Sequence, residues 1–170
     1  MKQKLNEILN QAVQDIEKHR KEIIEKLLEF ATTDVLFFWG EKKELYLRQE
    51  KEWRPVLDWA ESLLKVKLET TCTLNTPKNE EMLAPLAAIL MEMSNKELAC
   101  YYLAALNMRS VFLALALVKG KIDAKGACHL SYLEEVWQNE MWGSDEDAVG
   151  RRQERYDELK EIEAFLKEQK

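Results

Sequence analysis

Over residues 5–30 the apolar positions fall mostly three or four apart: Leu5, Ile8, Leu9, Ala12, Val13, Ile16, Ile23, Ile24, Leu27 and Leu28. That spacing predicts a long amphipathic helix with one face turned to a core. The pattern gives way at Thr32-Thr33-Asp34 and passes into an aromatic cluster, Val35-Leu36-Phe37-Phe38-Trp39, ending at Gly40. A second helical pattern covers residues 42–64, and Pro55 inside it should kink it or divide it, because proline lacks the N–H and crowds the preceding turn. Residues 66–74 alternate and are β-branched, the only strand-like run; with no partner strand in view, they predict an extended connector.

Asn75-Thr76-Pro77 breaks the chain, and a helix is expected again over residues 79–91. Ser94 and Glu97 have the spacing of a capping box, which starts a helix over residues 95–119. This segment is apolar nearly all round, with Leu103, Leu106, Val111, Leu113, Leu115 and Leu117 on several faces. Its length invites a membrane-spanning reading, but Lys96, Asn107 and Arg109 oppose it, since an arginine at mid-bilayer costs about 2.5–3.5 kcal/mol even on a lenient scale. A buried central helix is the expectation. Gly120 should stop it, Asp123 should start a helix running to residue 141, and Ser144 should cap a last one reaching residue 165. The prediction is an all-α protein: a single helical, bundle-like domain over residues 1–170, of six to seven helices around a central apolar one, without internal repeat or flexible linker.

Charge narrows the partners. Twenty-five basic and 31 acidic residues give a net charge of −6, which argues against a nucleic-acid or anionic-membrane partner. Cys72, Cys100 and Cys128 are scattered, form no paired motif, and read as buried, reduced thiols. Met1 opens into Lys2-Gln3-Lys4-Leu5-Asn6-Glu7 without an apolar core, so neither a secretory signal nor a transit peptide is expected.

Candidate chemistry is sparse. His19 and His129 are the only histidines, and Ile16 and Gly126 stand where a di-iron bundle would place glutamate. Cys128 and His129 are adjacent and, on a helix, point about 100° apart, which does not suit a thiolate–imidazole pair. The glycines form no phosphate loop. Neither a catalytic centre, a metal nor a cofactor is expected.

What stands out instead is the stretch from Tyr132 to Ala148. Leu130, Leu133, Trp137 and Met141 form a core stripe, and Ser131, Glu135, Gln138 and Trp142 form a second, polar stripe ending in an aromatic ring. Gly143 suits the left-handed position that ends a helix, Ser144 can cap the next, and Asp145, Glu146 and Asp147 would fill its first turn, where the helix dipole favours negative charge. Structure alone accounts for all of these except Trp142, a large ring at an exposed corner. One reading is a solvated face with a half-buried tryptophan. The other is a protein-binding patch of Glu134, Glu135, Gln138, Trp142, Asp145 and Glu146, an aromatic anchor beside hydrogen-bonding and acidic groups.

Here the chain resembles the assembly chaperones of the α-subunit of F-type ATP synthase. The residues that carry the resemblance are Glu134-Glu135, Gln138, Trp142-Gly143, Asp145-Glu146-Asp147 and Ala148, with Ser144 where the family usually begins its acidic run. Further blocks are Arg48-Gln49 with Trp53-Arg54-Pro55-Val56-Leu57-Asp58-Trp59-Ala60, then Leu113-Ala114-Leu115-Ala116-Leu117 with Gly120-Lys121-Ile122-Asp123-Ala124, and, more weakly, Thr33-Asp34-Val35-Leu36. The family usually carries a β-rich domain ahead of this helical part, which this sequence does not contain, and small residues where Met108-Arg109 stand here. The resemblance implies a monomeric, non-enzymatic chaperone that binds the free α-subunit before it joins the β-subunit, in the bacterial cytoplasm or the mitochondrial matrix, with neither nucleic acid nor membrane insertion involved. A helical adaptor for some other protein is the alternative.

Overall fold

The computed structural model describes residues 2–168, and among these it is all-α. Nine α-helices follow one another: α1 (Lys2–Ala31), α2 (Lys43–Glu52), α3 (Arg54–Leu64), α4 (Leu83–Glu92), α5 (Asn95–Met108), α6 (Val111–Val118), α7 (Ala124–Ser131), α8 (Leu133–Trp142) and α9 (Glu146–Lys167). Single 3-10 turns at Val35–Phe37 and Glu80–Met82 complete the list. The count exceeds the expected six to seven because three continuous apolar patterns are each cut in two.

The first cut is at Pro55, as expected. It occupies the first turn of α3, where the missing N–H would be unpaired anyway, so α2 and α3 meet at Trp53 instead of running through. The second replaces the expected central helix over residues 95–119 by α5 and α6. Arg109 takes a left-handed conformation (φ 56°, ψ 30°), and Ser110 opens α6 by accepting at its hydroxyl the N–H of Leu113, 3.1 Å away. The third divides residues 123–141 at Tyr132 (φ −106°, ψ 16°) into α7 and α8. No described helix is long and apolar enough to cross a membrane.

The cause of the second cut lies far away in sequence. The Asp34 carboxylate is fully buried and accepts four hydrogen bonds. One oxygen takes the Leu36 N–H (3.0 Å) and the Ser110 hydroxyl (2.8 Å); the other takes the N–H groups of Val111 (2.7 Å) and Phe112 (3.2 Å). Asp34 therefore caps both the 3-10 turn and α6, whose first-turn N–H groups have no partner within their own helix. Every residue of α6 from Val111 to Leu117 is buried, and α6 packs against α1, α3, α5, α7 and α9. The central apolar helix exists, but it is the shorter α6, pinned at its start by a carboxylate.

Other joints follow the same logic of satisfying helix ends. α1 bends at His19 (φ −132°, ψ 33°). The next residue, Arg20, sends its guanidinium to the end of α4, donating to the carbonyls of Leu90 (3.2 Å), Met91 (3.1 Å) and Met93, and to Asn95 Oδ1 (2.9 Å). Ser94 and Glu97 form the expected capping box, and Gly120 ends α6 at φ +76°. The strand-like run is mainly a connector, holding one parallel bridge from Thr71 to Phe38. Asn79, nearly buried, copies a backbone partner for it by accepting from Glu69 N–H (2.8 Å) and donating to Glu69 C=O (3.0 Å).

The thiols differ from expectation: Cys100 is buried, Cys128 is partly buried and Cys72 is exposed, because Cys72 sits on the connector's solvent side. Burial pushes the Cys100 thiol up to about 12.

Asp34 has a measurable signature. Burial pushes its carboxyl up from an ordinary 3.8 to about 6, although its four hydrogen bonds pull the other way. Between those values the folded protein holds a proton that the unfolded chain has released. This stability is fully present below about pH 4 and declines as pH rises through about 6, by about 3 kcal/mol in all. Asp34→Ala strands the N–H groups of Leu36, Val111 and Phe112 and should cost about 3–5 kcal/mol at neutral pH. Denaturant titrations from pH 4 to 7 should also show the Asp34-dependent slope vanish in the variant. An unchanged slope would remove Asp34 as its source.

Candidate functional site

The corner singled out in the sequence lies where α8 ends and α9 begins. Trp142 is the last residue of α8 and is 80% exposed, so the half-buried expectation is corrected: in the free protein nothing covers the ring. Met141 beside it is 51% exposed, which removes it from the core stripe; only Leu130, Leu133 and Trp137 of that stripe are buried. All residues from Glu140 to Asp147 are exposed, which places the last turn of α8 outside the packed part of the molecule. Ala148 is the first buried residue after the turn and anchors α9.

The turn itself differs in two details from the sequence expectation. Gly143 has a positive φ (96°) but an extended ψ (152°), so it leads the chain outward instead of curling it as a left-handed cap would. The cap of α9 is Asp145, one residue later than Ser144, and its Oδ1 accepts the N–H of Asp147 at 2.9 Å. The extended glycine lets the chain advance one more residue before the helix starts.

The six candidate residues fall into two groups. Glu134 and Gln138 lie one turn apart on α8, and both are exposed together with Trp142. Asp145 and Glu146 stand at the start of α9. Glu135 is different. It accepts a hydrogen bond from Arg152 of α9 (3.1 Å), and both side chains are partly covered, so it is already engaged within the fold. Asp145 is likewise engaged as a cap. The residues free to meet a partner are Glu134, Gln138, Trp142 and Glu146, with Met141 added by the structure.

The supports of the corner were not visible in the sequence. Arg48 of α2 pairs with Glu140 of α8. Trp53, at the α2–α3 junction, donates from its indole N–H to the Leu130 carbonyl (2.9 Å), fixing the end of α7 just before the bend at Tyr132. The block around Arg48 and Trp53 thus holds the C-terminal block in place. Periodicity could not reveal these pairs, because each joins residues more than 70 positions apart.

The acids that burial shifts most, Asp34, Cys100 and Tyr101, are all fully inside the core. No group of three or more His, Cys, Asp or Glu among the described residues is arranged to hold a metal ion. The arrangement suits reversible contact with another protein: a bare aromatic ring flanked by carboxylates at an exposed corner.

Residues 2–61 match the family model described as ATP12 chaperone protein, a stretch that includes the Arg48–Trp53 support but not the corner. The fold extends the likeness to nearly the whole chain. Atp12 from Paracoccus denitrificans superposes with a TM-score of 0.85 at 28% identity, covering 92% of this chain and 68% of that one. A point variant of the same organism's Atp12p gives 0.86 at 27% identity with the same coverage. A candidate chaperone from Agrobacterium tumefaciens gives 0.82 at 30% identity, over 95% of this chain and 61% of the other. In the sequence of its first sixty or so residues and in the fold of its helical assembly, the chain is similar to the ATP12 chaperones.

Proposed function

We propose that this protein is an assembly chaperone that binds the free α-subunit of F-type ATP synthase and shields its assembly surface until the β-subunit takes its place. The observation that carries the reading is the Trp142–Met141 corner, bare and acid-flanked on a chain with the Atp12 fold. An unassembled subunit exposes apolar surface that aggregates, and a helper need only cover it reversibly. An exposed aromatic anchor gives such a cover affinity, while carboxylates around it give orientation and speed of encounter. Neither nucleotide nor metal is needed for that task, so binding should survive a chelator.

Co-expression with the cognate α-subunit tests the reading: soluble complex is expected in place of aggregated α-subunit, and co-purification of an unrelated protein alone would favour a different adaptor. Trp142→Ala should weaken α-subunit binding by about 2 kcal/mol or more, as an aromatic hot spot does. Because the ring is solvated in the free chaperone, its melting temperature should stay within a degree or two. Normal binding with a large drop in melting temperature would instead make the ring structural.

The two neighbouring glutamates should separate. Glu134→Lys should weaken binding, most at low salt, and leave stability unchanged. Glu135→Lys would set an ammonium against Arg152, so it should also cost about 0.5–1 kcal/mol of folding stability. Calorimetric binding beside thermal melts distinguishes them; equal melts for both variants would show the Glu135–Arg152 pair to be without weight.

A further inference from the structure

The last turn of α8 runs beyond the packed body. Trp137 is the last buried residue of that helix, and every residue from Glu140 to Asp147 is exposed. Among the described residues, one side-chain hydrogen bond or ion pair joins residues 138–144 to another element: the pair between Glu140 and Arg48 of α2. One turn further along α2, Glu52 lies 3.7 Å from His129 of α7, and the next residue, Trp53, donates its indole N–H to the Leu130 carbonyl. α2 therefore reaches across the bend at Tyr132, meeting the end of α7 with one part of its length and the end of α8 with another. Helix positions two apart point about 200° apart. With Glu140 tied to α2, the Trp142 ring stands on the far side of α8, in keeping with its 80% exposure.

We propose that Arg48 is a positioning residue for client binding: through Glu140 it sets the rotation of the last turn of α8, and so the direction in which Trp142 is presented to the α-subunit. The proposal rests on the functional reading above and adds a residue, on a different helix, that itself touches no client. An exposed ion pair does little for the stability of a whole domain. A turn so little buried has few other contacts to hold it, however, and helix ends fray readily. Fraying lets the large apolar ring sample many directions, and ordering it again at the moment of contact subtracts from affinity. A guanidinium suits the task better than an ammonium, since its planar group constrains direction as well as distance.

The test uses the full chain and purified α-subunit. Arg48→Ala should weaken binding by about threefold to fivefold, with the melting temperature of the free variant little changed. Amide exchange followed by NMR on the free variant should quicken at Met141, Trp142 and Gly143 and stay unchanged at residues 133–137. Arg48→Lys should recover part of the lost affinity. In a Trp142→Ala background, Arg48→Ala should cost nothing further, because it acts through the ring. Losses that add in the double variant would mean that Arg48 meets the α-subunit itself, which overturns the proposal. Unchanged exchange at the last turn overturns it too, as does faster exchange with undiminished binding. Those three results leave the functional reading standing; an unaltered chaperone that binds no α-subunit removes both.

Discussion

One buried carboxylate organises this molecule. Asp34 closes the turn after α1 and opens α6, so the segment that follows the first helix is joined directly to the innermost one. No cation faces it among its hydrogen-bond partners; backbone N–H groups and one hydroxyl do the work. An ionised group in such a place costs free energy, and its donors recover only part of that cost. The donors, however, would be as costly without it. α6 is apolar on every side and can only lie inside, which places the first-turn N–H groups of that helix beyond the reach of water. Some acceptor must come to them, and Asp34 is that acceptor.

The same constraint explains what the sequence could and could not disclose. Local chemistry was readable: the Ser94–Glu97 box, the division at Pro55, the stop at Gly120 and the all-α class each depend on residues a few positions apart. The break at Arg109–Ser110 was not, because an apolar run with no glycine or proline reads as one helix until its distant acceptor is known. Arg109 holds its left-handed conformation with an ordinary side chain, and the local pattern gives no sign of it. The bend at Tyr132 was hidden likewise, since the indole of Trp53 fixes it from another helix.

The site divides in a similar way. Trp142 stood out because a large ring beside a glycine stop lacks a structural use, but how far it stands in solvent was not legible, since a half-buried ring was the expectation. Glu135 was legible as acidic but not as engaged, since Arg152 lies on the next helix. Met141 was assigned to the core by periodicity and is exposed because α8 outruns the helices it packs on. A helical repeat says which residues share a face; only packing says how far along the helix that face is covered.

The distance between Asp34 and its partners also has a meaning in time. The chain emerges from the ribosome at about 5–20 residues per second, so the carboxylate waits roughly 4–15 s before Ser110 and Val111 appear, 76 and 77 positions later. α9 comes later still, and it packs on both α1 and α5. The first half of the protein therefore spends its synthesis with its central charge unpaired and its main helix uncovered. The surface that the finished fold buries is therefore exposed each time the chain is made.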